Sequence, residues 1–264
     1  MKVAFYTNTI KDKGFVVTNK AKEKFCNAGF DVITFIDIDY LKGSFDKFDL
    51  LVVIGGDGTI LRIAEFCADR NIPIVGINLG KLGFLADIEK TDIDRLISCL
   101  KKSHYTKTAL PLIEAEYLGR KYYALNEVYV KSCDEGMLEV EVSVVGRHRE
   151  TFHCDGYIVS TAFGSTAYSL SCGGPLVERN VPAHILVPIN AHTLSARSLV
   201  ISNNDTVALS VSNKCCTRLF ADGQHKADIE DSTPIKISAS NKIATFIRLD
   251  SGHSPFSKIE KKRG

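Results

Sequence analysis

Residues 49–59 read DLLVVIGGDGT, an apolar run that ends in three glycines within four residues. A continuous apolar run of this length is typical of a parallel strand that is covered on both faces of its sheet. The pattern that follows the glycines, over residues 59–70, predicts a helix. Because ligands of open α/β sheets bind beyond the carboxyl ends of the strands, this junction is the first candidate site.

The alternation of strand and helix continues on both sides of this junction. Short apolar runs at residues 2–6, 31–36 and 73–77 predict further strands, and residues 91–102 predict another helix. Strand, helix and strand at this spacing indicate a parallel sheet with right-handed crossovers. The sequence therefore predicts a Rossmann-like α/β domain over residues 1–105 that carries the glycine loop.

The pattern changes after about residue 107. Short runs rich in Val, Ile, Tyr and Thr recur between turn residues, and long helical patterns are nearly absent. This arrangement is typical of a β-sandwich. We therefore predict an all-β domain of sandwich type over residues 106–264, with the C-terminal tail as a candidate for returning to the first domain.

The composition excludes several classes of protein. The chain has 264 residues, of which 45% are apolar and 24% charged, and this is ordinary for a globular protein. Its 33 basic and 31 acidic residues give a net charge of +2, too small for a generic nucleic-acid-binding field. The longest apolar runs are about five residues, against the ~20 that a membrane-spanning helix needs. We therefore predict no nucleic-acid partner and no membrane partner.

The cysteines and the first residues of the chain indicate the cellular compartment of the protein. None of the eight cysteines forms a C-x-x-C pair or stands at zinc-ligand spacing from a histidine. They are interpreted as free thiols in a reducing compartment. The first residues, MKVAFYTNTIKDKG, contain no apolar signal region. The sequence therefore predicts a cytoplasmic protein.

The glycine loop has the chemistry of a phosphate site. Glycines let the backbone approach a ligand closely and expose its N–H groups, which suits phosphate. We predict a phosphate-binding loop at Gly55, Gly56, Gly58 and Thr59. Asp57 places a carboxylate among those phosphates, where it would take a proton from an attacking hydroxyl or hold Mg²⁺. The alternative is an ordinary Asp-Gly turn with a helix cap.

Polar pairs in the second half suit a nucleotide. Asn126 offers a donor and an acceptor to an adenine edge, and Glu127 can accept from both hydroxyls of a ribose. Neighbours in a strand point to opposite sides, so a strand end or a bulge must let both reach one ligand. Asp155 would accept from a second ribose. The alternatives are a surface Asn-Glu turn and a hairpin Asp-Gly turn at residues 155–156.

A hydroxyl-rich segment follows at residues 164–171, GSTAYSLS. Tyr168 offers a ring face for a base, while Ser165, Thr166 and Ser171 offer hydroxyls. The alternative for this segment is a capped helix start. Gln224 would line the same pocket, although the Asp222-Gly223 pair before it also fits a simple hairpin turn.

These motifs carry a family resemblance. GGDGT resembles the signature shared by NAD kinases, by diacylglycerol- and sphingosine-type lipid kinases and, in a related form, by phosphofructokinases. The segments that resemble NAD kinases specifically occur in family order: GINLGKLGFL at 76–85, NE at 126–127, DG at 155–156, GSTAYSLSCGGP at 164–175, HTLS at 192–195 and DGQ at 222–224. The chain departs from the family at Ala162 and Phe163, where relatives commonly have Pro-Thr, and at His153, where many carry arginine.

The resemblance implies a reaction and its participants. An NAD kinase transfers the γ-phosphoryl of ATP to the 2′-hydroxyl of the adenosine ribose of NAD, with Asp57 as the catalytic general base. It implies Mg²⁺ or another divalent cation that comes with ATP, no prosthetic group, no metal site made by protein alone, and a homodimer or homotetramer. The NAD-binding residues that it implies are Asp57, Gly58, Phe84, Asn126, Glu127, His153, Asp155, Thr166, Ala167, Tyr168, Ser169, Leu170, Ser171 and Gln224.

Two other functions remain open at the level of sequence. One is a lipid kinase that shares GGDGT, and the other is a dinucleotide-binding sensor without catalysis. Retention of Asp57 weighs against the sensor, because ligand binding alone gains little from a carboxylate near phosphates.

Overall fold

The computed structural model of the chain describes residues 1–80, 83–134, 136–144, 146–192, 196–212, 216–230 and 233–249. The chain divides into two compact units. Unit 1 comprises Met1–Leu110 together with Lys242–Gly264, and unit 2 comprises Pro111–Asn241.

Unit 1 alternates strands with helices along most of its length. Its elements are β1 (Lys2–Thr7), α1 (Val16–Asn27), β2 (Asp31–Phe35), α2 (Ile38–Gly43), β3 (Leu50–Gly55), α3 (Asp57–Leu61), α4 (Ala64–Arg70), β4 (Ile74–Asn78), β5 (Ile88–Glu89) and α5 (Ile93–Lys101).

The sheet of unit 1 is parallel, in the order β2, β1, β3, β4. Every residue of β3 and β4 is buried, as the apolar sequence of β3 predicts. Phe25 of α1 and Leu96 of α5 belong to the core cluster that covers these strands. The predicted α/β class of the first domain is confirmed.

The helix that we predicted over residues 59–70 is instead two helices. The first, α3, begins at Asp57, directly after Gly56. The two helices part at Ile63, where φ is −117° and ψ is −4°, outside the range of a regular helix. The N–H of Ile63 donates to the carbonyl of Ile60, a bond to the third residue back. The hydrophobic pattern continues across this break, so periodicity alone did not reveal it.

Unit 2 consists almost entirely of strands. The elements that follow in chain order are β6 (Thr106–Tyr117), β7 (Arg120–Ala124), β8 (Glu127–Ser132), β9 (Leu138–Val144), β10 (His148–Cys154), β11 (Gly156–Thr161), α6 (Tyr168–Ser171), β12 (Ala183–Ile189), β13 (Leu199–Ser202), β14 (Val207–Ser212), β15 (Thr217–Ala221), β16 (Gln224–Ile229) and β17 (Ile235–Arg248).

The strands of unit 2 form antiparallel sheets that enclose one core. One sheet has the order β13, β12, β11, β8, β15, β16, and β10, β9, β14 and the first part of β17 are neighbours in the other. Val130 and Leu219 from the first sheet share a buried cluster with Val142 and Leu209 from the second. The predicted all-β sandwich is confirmed.

The last strand, β17, serves both units. Residues 235–237 pair antiparallel with β14 in unit 2, and Phe246 pairs parallel with Ile74 of β4 in unit 1. We predicted two separate strands here, at residues 235–238 and 244–249. The polar stretch between them, SNK at 240–242, resembles a turn in the sequence but continues the strand in the structure.

Membrane insertion by a helix finds no support in the described parts of the chain, where every helix is too short or too polar to cross a bilayer.

Candidate functional site

Asp57 is the first residue of α3 and its carboxylate is held by a loop of unit 1. Its Oδ2 accepts a hydrogen bond from the N–H of Phe84 at 2.8 Å. Its Oδ1 accepts from the N–H groups of Leu85 at 3.1 Å and Ala86 at 2.9 Å. Since an ionised carboxylate has about four acceptor positions, the described residues leave one position, on Oδ2, for a ligand. Phe84, which the sequence placed at the site, thus contacts the catalytic candidate through its backbone.

Gly83 makes this contact sterically feasible. A Cβ atom at Gly83 would overlap the carboxylate of Asp57. The third glycine of the segment at 76–85 is therefore required for the approach of Asp57, which no spacing rule predicted. Two residues of the same segment, Lys81 and Leu82, lie outside the described residues.

The glycine loop borders a cavity of about 350 Å³ in unit 1. The cavity opens at the carboxyl ends of β1 and β3, between which the strand order reverses. None of its ten lining residues is acidic, and those used below are Tyr6, Asn8, Lys11, Gly58, Thr59 and Arg62. Its volume lies at the lower end of the range of small-molecule sites, ~300–1,000 Å³.

Two cations stand at this cavity, and the motif analysis missed both. Lys11 lies against the glycine loop, since a Cβ atom at Gly56 would come within 2.9 Å of its Nζ. Arg62 lies near Tyr6, whose pKa is raised by burial and by the charges of Asp37 and Asp39, against the opposing effect of the Arg62 charge. Asn8 ties the β1 end to the loop, because its Nδ2 donates to Thr59 Oγ1 at 3.0 Å. Lys11 and Arg62 belong to no motif that we quoted, so only their place at the reversal of strand order could have indicated them.

Glu127 is the deeply buried acid of unit 2. It is the first residue of β8 and is only 5% exposed. Its carboxyl group accepts a hydrogen bond from the backbone N–H of Tyr168, while its Oε2 has no hydrogen-bond partner in the described structure. Burial, and secondly the charge of Asp222, raise the pKa of Glu127 to about 8.

Asp222 fixes the backbone around the Asn126-Glu127 pair through hydrogen bonds. Its carboxylate accepts from the N–H of Leu125 at 2.8 Å and from the N–H of Asn126 at 2.7 Å. Its own N–H donates to the carbonyl of Glu127 at 3.0 Å. Burial raises the pKa of Asp222 to about 6. The hairpin-turn interpretation of Asp222 is therefore incomplete, because its side chain also braces the start of β8.

Asn126 lies just before β8, so the strand end that the pair required is present. Its carbonyl accepts from the N–H of Thr161 at 2.8 Å and from Ser160 Oγ at 3.1 Å. Gly164 packs against that carbonyl so closely that a Cβ atom there would overlap it. The backbone of Asn126 is thus fixed by β11 and by the first residue of the GSTAYSLS segment.

Asp155 lies near the opposite end of β8. Its carbonyl accepts from the N–H of Ser132, and its Oδ2 accepts from Asn190 Nδ2, both at 2.9 Å. The five residue steps from Glu127 to Ser132 span ~16 Å at the rise of an extended strand. This separation is consistent with the prediction that the two acids meet different riboses of a dinucleotide.

Tyr168 lies between these two acids. Its ring meets Tyr129 of β8 edge to face at 5.2 Å, and Tyr129 stacks on Phe220 at 4.8 Å. Burial raises the pKa of Tyr168, and the charges of Asp155 and Glu127 act in the same direction. The charges of both acids therefore act on the Tyr168 hydroxyl.

The other predicted residues are close to these in the chain but differ in exposure. Around Tyr168, Ser169 is fully buried and its Oγ lacks a hydrogen-bond partner in the described structure, whereas the rest are exposed or partly exposed: Thr166, Ala167, Leu170 and Ser171. Gln224 begins β16 two residues after Asp222.

His153 is exposed, and its carbonyl accepts from the N–H of His192 at 2.9 Å. Residues 193–195 of the HTLS motif lie outside the described residues.

Sequence comparison identifies the family. Residues 3–105 match the ATP-NAD kinase N-terminal domain, and residues 125–249 match the ATP-NAD kinase C-terminal domain. The chain belongs to the NAD kinase family. It is a kinase of the kind that transfers phosphate to NAD.

The sequences of individual NAD kinases align with most of this chain. The chain is 38% identical over 216 residues to the NAD kinase of Rhodococcus erythropolis, covering 79% of this chain and 68% of that protein. It is 34% identical over 224 residues to the NAD kinase of Methanopyrus kandleri, covering 84% and 80%.

Two solved structures share the fold. The Archaeoglobus fulgidus NAD kinase, crystallised with ATP, has a TM-score of 0.80 at 29% identity and covers 95% of this chain and 94% of its own. Yeast NADH kinase complexed with NADH has a TM-score of 0.83 at 20% identity and covers 94% and 83%. At that identity the yeast enzyme shows the fold alone.

No group of three or more His, Cys, Asp or Glu side chains placed to hold a metal ion occurs among the residues that the structure describes.

Proposed function

We propose that this chain transfers the γ-phosphoryl of ATP to the 2′-hydroxyl of the adenosine ribose of NAD, which gives NADP and ADP. Besides membership of the NAD kinase family, one observation carries the proposal: the buried Oε2 of Glu127 has no hydrogen-bond partner in the described structure. An unsatisfied buried polar atom costs roughly 1–3 kcal/mol, so a ligand that supplies a donor there gains that amount. A ribose presents two adjacent hydroxyl donors to such a carboxylate.

The dinucleotide would lie along β8 in unit 2. Asn126 meets the adenine edge, Glu127 holds the acceptor ribose, and Asp155 takes the second ribose at the other end of the strand. Tyr168, between them, offers its ring to a base. The remaining NAD-binding residues that the resemblance implies are Gly58 and Phe84 in unit 1 and, in unit 2, His153, Thr166, Ala167, Ser169, Leu170, Ser171 and Gln224.

Asp57 would act on the hydroxyl that attacks. Three backbone N–H groups fix its carboxylate, and the acceptor position left on Oδ2 suits a substrate O–H. General-base catalysis of this kind contributes typically ~10²–10⁴-fold. The phosphates of ATP would lie against Gly55, Gly56, Gly58 and Thr59.

A divalent cation fits this arrangement only as a companion of ATP. Mg²⁺ usually takes one or two protein carboxylates and completes its shell with phosphate oxygens and water. The glycine loop offers one carboxylate, that of Asp57, with one acceptor position that none of the described residues uses. A cation held there would neutralise phosphate charge during transfer.

The cavity beside the glycine loop would receive the donor. Lys11 and Arg62 give it two positive charges, and none of the described residues that line it is acidic, although the charges of Asp37 and Asp39 also act on Tyr6 in its lining. Gly58 and Thr59 belong both to this lining and to the predicted phosphate loop, so the polyphosphate of ATP would meet these cations there.

The test is a coupled assay for NADP in the presence of NAD, ATP and Mg²⁺. Formation of NADP supports the proposal. If no NADP forms, the fate of ATP separates the alternatives: phosphorylation of diacylglycerol or sphingosine indicates a lipid kinase, and binding of NAD without turnover indicates a sensor. Parallel reactions with NADH and with polyphosphate define the acceptor and the donor.

Two further expectations accompany this function. A homodimer or homotetramer predicts a molar mass of two or four chains by light scattering, and a single chain's mass would contradict it. A cytoplasmic location stays a prediction that fractionation of the source cells would test.

A further inference from the structure

Arg248 stands behind the loop that holds Asp57. Its guanidinium donates from Nη1 to the carbonyl of Leu85 at 2.9 Å and from Nη2 to the carbonyl of Phe84 at 3.4 Å. The same Nη1 lies 2.7 Å from Asp87 Oδ2. The residue is 7% exposed, so these contacts are shielded from water.

The two carbonyls and the N–H groups on Asp57 belong to the same peptide groups. The carbonyl of Phe84 and the N–H of Leu85 form one peptide group, and the carbonyl of Leu85 and the N–H of Ala86 form the next. Arg248 binds the oxygen of each group, while the N–H of each donates to Oδ1 of Asp57. A cation is thus linked through two peptide groups to one oxygen of the catalytic candidate.

This arrangement has two physical effects. A planar guanidinium with several donors fixes the orientation of both peptide groups, which a lysine ammonium on a flexible stem does less precisely. Hydrogen bonds in a chain also polarise one another, by perhaps ~10–30% per bond. Both effects fix Oδ1 firmly and leave Oδ2 as the oxygen that faces a ligand.

The geometry points to Arg248 as a positioning residue for phosphoryl transfer, acting through the 84–86 backbone on Asp57. This inference rests on the proposed catalytic role of Asp57. Nothing in the glycine motifs indicates it, because Arg248 comes from β17, 191 positions later in the chain.

Substitution by lysine tests the inference. Arg248→Lys keeps the charge but loses the planar fork, so we expect kcat to fall ~10- to 100-fold, as small misplacements of catalytic groups do. The dissociation constant of NAD should change much less than kcat, because most of the proposed NAD contacts are in unit 2. The matched control is Arg70→Lys in the same unit, because Arg70 donates to the carbonyl of Lys42 and lies over Phe66 without touching the loop. Equal losses of kcat in both variants would overturn the inference.

A double-mutant cycle separates positioning from general destabilisation. If Arg248 acts through Asp57, Arg248→Lys should cost little additional kcat in an Asp57→Asn background. Fully multiplicative effects of the two substitutions would contradict the inference.

Amide hydrogen exchange gives a readout that does not depend on activity. Leu85 and Ala86 should exchange slowly in the parent protein and faster in Arg248→Lys. If the parent protein makes no NADP, the proposed function fails while the exchange data still test the contact. Unchanged exchange at both amides would overturn the inference even in an active enzyme.

Discussion

The two acids of the candidate site are held in opposite ways. Asp57 in unit 1 is partly exposed and accepts three backbone hydrogen bonds. Glu127 in unit 2 is buried, has one backbone donor, and keeps an oxygen without a partner in the described structure. The described residues thus fill three of about four acceptor positions of the first carboxylate and leave one oxygen of the second without a donor. Under the proposed function, the first carboxylate acts by its fixed position and the second by recognition of a ligand.

The largest effect should come from removing the positioned carboxylate. Asp57→Asn should lower kcat by ~10²–10⁴-fold, because an amide cannot accept the hydroxyl proton. Steady-state kinetics measure this loss, and titration with NAD should show that binding persists. Loss of NAD binding with normal turnover at saturation would return Asp57 to the role of a turn residue.

The structure adds a complication to that variant and a control for it. The Asn amide group would bring its own donors against the N–H groups of residues 84–86, so the loop can loosen as well. Gly83→Ala disturbs the same contact but keeps the carboxylate. If Asp57 needs only its position, both variants should lose similar activity. If it supplies the base, Asp57→Asn should lose much more.

Glu127→Gln tests the recognition side of the comparison. Hydrogen bonds to charged groups contribute roughly 1.5–3 kcal/mol, so kcat/KM for NAD should fall ~10- to 150-fold. The KM for ATP should change little, because the proposed donor contacts are in unit 1. Kinetics like those of the parent protein would contradict the assignment of Glu127 to the acceptor ribose.

Protonation of Glu127 gives this comparison a pH dependence. Its pKa of about 8 means that the acid is largely protonated at pH 7 without ligand, and ribose donors favour its ionised form. Binding of NAD should therefore release roughly one proton at pH 7, which calorimetry in buffers of different ionisation enthalpy measures. Glu127→Gln should abolish this release, and an equal release from both proteins would contradict the prediction.

The same shift affects folding stability with a definite sign. A folded-state pKa above the ordinary glutamate value of 4.5 means that the unfolded chain loses this proton first. The contribution of Glu127 to the free energy of unfolding is therefore fully present below about pH 4.5 and is lost as the pH rises to about 8. Glu127→Gln should flatten this decline in urea unfolding, apart from the smaller part that Asp222 contributes in the same direction.

Tyr168→Ala should have a smaller effect, confined to the dinucleotide. An aromatic stacking contact contributes ~0.5–1.5 kcal/mol beyond area burial, so KM for NAD should rise several-fold. The KM for ATP should stay close to that of the parent protein. A defect toward ATP alone would place the segment at 164–171 in the wrong site.

The smallest effect concerns the turn that braces Asn126. Ala162 lies in this turn, and its φ of −57° suits a proline ring. Ala162→Pro should therefore raise the free energy of unfolding by ~0.4–1 kcal/mol through the unfolded chain, as thermal unfolding would show. Ala162→Gly is the matched control and should change it in the opposite direction.

Local sequence predicted the parts of the site that depend on neighbouring residues. The buried β3 strand, the glycine loop and the strand end at Asn126 all follow from short patterns. Contacts between distant residues did not follow: Asp222 meets Leu125 and Arg248 meets Leu85, each across about a hundred residues or more. Such contacts depend on the order and register of the strands in the sheets. Local patterns in a single sequence do not define either.

Because the second part of β17 belongs to unit 1, the first unit cannot be completed until unit 2 has been synthesised. Leu110 leaves the ribosome about 140 residues before Arg248, a delay of roughly 7–28 s at ordinary synthesis rates. During that time β4 lacks its pairing with Phe246, and the loop at 84–87 lacks its guanidinium. A nascent or truncated chain that lacks Arg248 therefore carries the whole GGDGT motif without the guanidinium that we infer to position its aspartate. On that inference, phosphoryl transfer would reach its full rate only after Arg248 has been made and has bound the carbonyls of Phe84 and Leu85.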